Sequence, residues 1–82
     1  MAAWLTGAVL LEGKWLRYDL LTKKRKDKLE YGICVHYGGE RVSLPGISLS
    51  GREVGELLHT MLRCRVTPVT ARDVVEDWLC GQ

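Results

Sequence analysis

Few side chains in this sequence are suited to chemistry, and their spacing limits what each could do. Cys34 and His36 stand two apart in an alternating stretch, so they share one face of a strand. A return strand through Arg41 and Ser43 lies opposite them. A Cys–His pair can make an activated thiolate. The pattern supplies no third orienting group, oxyanion hole or pocket. The plainer reading is a small apolar residue and a polar surface residue on an open sheet face.

A zinc site drawn from Cys34, His36, His59, Cys64 and Cys80 fails on spacing, because there is no CxxC pair and His59 falls on the solvent side of its helix. Gly38-Gly39 and Gly51 lack the strand–GxGxxG–helix context of a phosphate loop. Asp73, Glu76 and Asp77 gather on one side of the last helix. Carboxylates do acid–base work only in a cleft that shifts their pKa values. Here Asp73 suits a helix N-terminus and Glu76 can pair with Arg72. The chain therefore reads as a non-enzyme, with no catalytic residue, cofactor or metal.

Two surfaces remain. Lys23, Lys24, Arg25, Lys26 and Lys28 surround Asp27 and sum to +4, while the rest of the chain sums to −2. Such a tip can touch phosphates, each contact releasing counterions. No aromatic interleaves the run to stack on bases. The plainer reading is a solvated turn that keeps strand ends from pairing with neighbours. The second surface is apolar. Trp4, Ala8, Leu10 and Trp15, with Leu21 further along, are expected to project from the sheet face away from the helices. A small monomer rarely leaves such area open, and tryptophan is enriched where interfaces hold their binding energy. Trp4, Leu10 and Trp15 are thus the expected partner-binding residues, and self-association as a homodimer is one outcome. The alternative is that the N-terminal segment folds over and buries these rings.

The elements that position these residues follow from periodicity. Leu29, Tyr31, Ile33, Val35 and Tyr37 alternate with Glu30, Gly32, Cys34 and His36, the clearest strand signal. Gly38-Gly39 predicts a two-residue hairpin, with Val35 opposite Val42 and Ile33 opposite Leu44. A turn at Arg25-Lys26 puts Leu20 opposite Tyr31, Tyr18 opposite Ile33 and Leu16 opposite Val35. A turn at Glu12-Gly13 puts Val9 opposite Leu16 and Leu5 opposite Leu20. Pro45-Gly46 ends the last strand. All three registers aim one apolar set at the same face, and a one-residue slip would turn that set into water.

Two helices follow. Ser50 to Glu53 fits a capping box, Leu49 and Val54 a hydrophobic staple, and Val54, Leu57, Leu58, Met61 and Leu62 one apolar face. Thr70 reads as the second cap, Val69 and Val74 as its staple, and Pro68 as the break between helices. The expected fold is α+β: a three- to four-stranded antiparallel meander over residues 1–47, then two short helices over 48–82 packed on one sheet face, all in one domain.

At 82 residues such a domain buries only about 60% of its unfolded surface, too little for a deep internal active site. Three widely spaced cysteines argue against a secreted disulfide framework and for a cytoplasmic protein. The apolar stretch before Glu12 has no basic leader and falls far short of the roughly 20 residues that cross a bilayer, so no membrane association is expected.

Tyr18-Asp19-Leu20-Leu21, Tyr31-Gly32-Ile33-Cys34-Val35, Pro45-Gly46-Ile47-Ser48 and Asp73-Val74-Val75-Glu76-Asp77-Trp78-Leu79 together resemble a family of small uncharacterised bacterial proteins, mostly of Clostridia-like Firmicutes. Cys64 matches a cysteine that family carries near the end of its first helix. The resemblance covers residues 16–80, leaves Trp4 to Leu11 as an addition, and departs at Ser50-Gly51, where the family tends to an acidic residue. It implies the fold and a cytoplasmic bacterial origin, and brings no activity, cofactor or site residue. Residues and resemblance together point to a small non-enzymatic interaction module, regulatory or adaptor in kind, acting through protein contacts. The alternative is nucleic-acid binding through the 23–28 tip.

Overall fold

The computed structural model describes residues 2–81. Strands β1 (Ala2–Leu11), β2 (Lys14–Arg25), β3 (Lys28–Tyr37) and β4 (Glu40–Ser48) precede helices α1 (Gly51–Cys64) and α2 (Pro68–Cys80). The strands form one antiparallel sheet in the order β1-β2-β3-β4, so the meander has four members and the fold is α+β. No described helix is long and apolar enough to cross a membrane.

The apolar alternation does what the pleat requires. Leu16, Tyr18, Ile33 and Val35 point to one face and are buried under Val54, Leu57, Leu58 and Met61 of α1 and Ala71 and Val75 of α2. Helix α1 lies over β1 to β3, and α2 over β4 and β3. Gly7 lies under α1, where a Cβ would stand 2.7 Å from the Leu62 Cδ2 atom and the end of that side chain would have to turn aside.

The registers depart from expectation in three places. The β2–β3 turn is Lys26-Asp27, with Lys26 at φ 56°, so Leu20 pairs with Ile33, Tyr18 with Val35 and Leu16 with Tyr37. This is a shift of two residues, which leaves every side chain on its expected face. In β1, Val9 does pair with Leu16, but Thr6 is an extra residue between Leu5 and Gly7. Beyond that bulge Trp4, not Leu5, pairs with Leu20, because one inserted residue exchanges the faces. In β4, Val42 and Leu44 pair as expected with Val35 and Ile33. Pro45-Gly46 does not end the strand: a second irregularity carries it on until Ser48 pairs with Tyr31. Proline is tolerated because β4 is an edge.

The helix starts are partly as expected. Ser50 Oγ accepts from the Glu53 amide at 3.2 Å, but the Ser50 amide donates to Ser48 Oγ, the role expected of the Glu53 side chain. Leu49 is exposed while Val54 is fully buried, so the expected staple does not close. Helix α2 begins three residues earlier than expected: Thr67 is its cap, Pro68 occupies the first turn, and Val69 is exposed. Proline fits there because its missing amide would have no helical partner.

Candidate functional site

The face that no helix covers holds the chemistry-bearing residues. Cross-strand pairing sets Asp19 beside Cys34 and Cys34 beside Ser43. The next row is Arg17, His36 and Arg41. Asp19 and Cys34 are only 2% and 4% exposed despite facing away from the helices. They sit in a shallow hollow lined also by Ala2, Ala3, Leu21, His36 and Ser43.

A carboxylate that deep requires partners. Arg17 donates to both oxygens, Nε to Oδ1 at 3.0 Å and Nη2 to Oδ2 at 2.9 Å. This hydrogen bond, then the charge of Asp19, raises the Arg17 pKa above its ordinary value. His36 Nε2 lies 3.4 Å from Asp19 Oδ2 and 3.2 Å from Cys34 Sγ. Cys34 Sγ is also 3.4 Å from Ser43 Oγ. The expectation of an open face with no third group beside Cys34 and His36 is therefore corrected. Asp19 stands beside both in a hollow, but it meets the same ring nitrogen as Cys34 and so does not orient the ring through the other. The turn explains why the sequence hid it: a turn at Arg25-Lys26 would set Asp19 opposite Gly32, whereas the Lys26-Asp27 turn sets it opposite Cys34.

The other singled-out residues are dispersed. His59, Cys64 and Cys80 are exposed on the helices, apart from Cys34 and His36. Asp73, Glu76 and Asp77 are exposed. Leu10 and Trp15 form a cross-strand pair on the uncovered face, 56% and 64% exposed. Trp4 is 62% exposed but shares the face of Leu20, so the bulge at Thr6 separates it from that pair. The expected contiguous patch of Trp4, Leu10 and Trp15 is corrected to Leu10 and Trp15, with exposed Leu5 further along the same face. The cations Lys23, Lys24, Arg25, Lys26 and Lys28 are all exposed. The pleat divides them: Lys23, Arg25 and Lys28 share the uncovered face, and Lys24 lies beside Leu29 on the other. Glu30 reaches within 3.8 Å of Arg25 and offsets part of their charge.

No curated protein and no solved structure matches the chain. A family does match over residues 11–81, from the last residue of β1 to the end of α2, leaving Trp4 and Leu10 outside the matched span. The chain thus belongs to a family of unknown function (DUF6514).

Proposed function

We propose that this protein is a non-enzymatic interaction module, a small regulatory or adaptor protein that works through protein contacts. Its contact surface is the Leu10–Trp15 pair with the adjoining edge of β1, and the first occupant is a second copy of the chain. The observation that carries this reading is that both side chains are more than half exposed beside the outer edge of β1, which pairs with no second strand among the described residues. Charged side chains and proline normally blunt such an edge. β1 contains neither, and its one bulge leaves Gly7 to Leu11 regular. Two copies can add these stretches antiparallel about a two-fold axis, with each Leu10 at the new seam and each Trp15 one strand behind it, flanking the seam on the same face. The three free thiols and the family resemblance support a cytoplasmic bacterial setting.

Sedimentation equilibrium tests the reading. A concentration-dependent dimer is expected, converted to monomer by Trp15→Lys or Leu10→Lys with unchanged far-UV circular dichroism. Trp4→Ala should leave the dimer constant unaltered, since Trp4 faces the other way. A wild-type monomer at every concentration sinks the proposal.

The second reading is phosphate binding at the 23–28 tip, favoured by the exposure of all five cations. Affinity for an oligonucleotide would then fall steeply with salt, whereas an apolar contact at Trp15 would hardly change.

A further inference from the structure

The three groups gathered in the hollow are a carboxylate, a thiol and an imidazole. One ligand atom from each of Asp19, Cys34 and His36 lies within 4.8 Å of the other two. Two arrangements use such a set. In a catalytic relay the thiol meets one ring nitrogen and the carboxylate orients the ring through the other. In a metal site all three converge on one point. The contacts distinguish them. Cys34 Sγ and Asp19 Oδ2 both approach the same atom, His36 Nε2, at 3.2 and 3.4 Å. A relay would leave one of them on Nδ1. Bond lengths of about 2.3 Å to sulfur and about 2.0–2.2 Å to nitrogen and oxygen, at tetrahedral angles, put ligand atoms roughly 3.3–3.6 Å apart. The two observed separations lie close to that spacing.

We propose that Asp19, Cys34 and His36 form a three-ligand site for a divalent transition metal of the Zn²⁺ class, on the sheet face opposite the helices. A mixed sulfur, nitrogen and oxygen set is the donor chemistry that Zn²⁺ accepts. Cys34 binds as the thiolate, its proton leaving to solvent. Asp19 binds through Oδ2, whose second lone pair is available beside the bond from Arg17 Nη2. Arg17 Nε on Oδ1 holds the carboxylate in place, as outer partners of metal-bound carboxylates do. All three ligands line the hollow, and a tetrahedral ion held by three side chains keeps a fourth position for water or a small donor. Adjacent strands preset all three ligands: Asp19 and Cys34 are direct partners, and His36 is two residues along β3.

Titration of the full-length reduced protein with Co²⁺ tests the site, with circular dichroism to confirm that each variant is folded. One equivalent is expected to raise a thiolate-to-cobalt charge-transfer band, which Zn²⁺ then removes. Cys34→Ser should abolish the band. His36→Gln changes a half-exposed side chain that the core does not need, and should weaken Co²⁺ binding by more than roughly tenfold, the lower end of what losing even an outer partner costs. Replacing Cys64 and Cys80 together by serine should leave the titration unchanged, since both lie on the helices. No thiolate band in the wild type, a band that persists in folded His36→Gln at wild-type affinity, or one lost with Cys64 and Cys80, overturns the proposal.

Discussion

Tyr18 Oη donates a 2.6 Å hydrogen bond to the carbonyl of Val66, fastening the second strand to the link between the two helices. Arg65, at φ 53°, closes α1 immediately before it, and the Val66 amide donates back to the Met61 carbonyl at 3.0 Å. The phenol therefore meets a backbone already folded into a helix terminus. Removing the hydroxyl leaves that carbonyl without the phenol, so Tyr18→Phe is expected to destabilise by about 1–2 kcal/mol in urea denaturation.

The same tyrosine predicts an alkaline transition. Burial pushes its pKa up to about 12, from an ordinary 10.0. A raised folded-state pKa means that the native protein holds its proton where the unfolded chain has lost it. The stabilisation is complete below pH 10 and declines as pH rises to about 12, by roughly 2 kcal/mol over that window. Denaturation midpoints measured across this range should fall more steeply in the wild type than in Tyr18→Phe. Parallel slopes would refute the assignment.

Gly32 sits where β4 swings through Pro45. A Cβ there would stand 2.3 Å from the Leu44 carbonyl oxygen and 2.6 Å from the Pro45 Cα atom. Both are backbone atoms, which cannot rotate aside. Gly32→Ala is expected to cost more than about 2 kcal/mol. Gly39→Ala meets nothing within 4 Å and should stay within about 0.5 kcal/mol. Thermal unfolding of the two variants side by side checks the contrast.

Gly55 lies inside α1 with open space where its Cβ would be. Alanine restricts the unfolded chain and suits a helix, so Gly55→Ala should stabilise by about 0.5–1 kcal/mol. Gly51→Ala should lack that gain, because its Cβ would press on the Tyr31 ring at 2.8 Å. A Gly55→Ala variant that melts at or below the wild type would contradict the packing described for this face of α1.

Arg17 supplies the only cation bonded to both oxygens of Asp19 among the described residues. Arg17→Met is expected to lower the denaturation midpoint by leaving a buried carboxylate without its counter-charge. Adding Asp19→Asn should recover part of the loss, because the charge is then gone as well. A double variant less stable than the sum of the two single changes would show that the ion pair is not the source.

Much of this architecture is written in residue order. The period-2 pattern from Leu29 to Tyr37 and the helical spacing from Val54 to Leu62 dictate which side chains face the core. The paired glycines at 38–39 pin Val35 to Val42, and through that register Cys34 to Ser43 and His36 to Arg41. What residue order could not decide is how far each strand slides by an even step or where it gains a residue. A two-residue slide keeps every side chain on its face, so the apolar pattern is blind to it. Only cross-strand packing and the Lys26-Asp27 turn choose Cys34 over Gly32 as the neighbour of Asp19. Only the bulge at Thr6 parts Trp4 from Leu10 and Trp15. The faces were thus determined locally, by alternation. The Asp19–Cys34–His36 cluster was decided by tertiary structure, because it depends on which of two equally apolar registers the assembled sheet adopts.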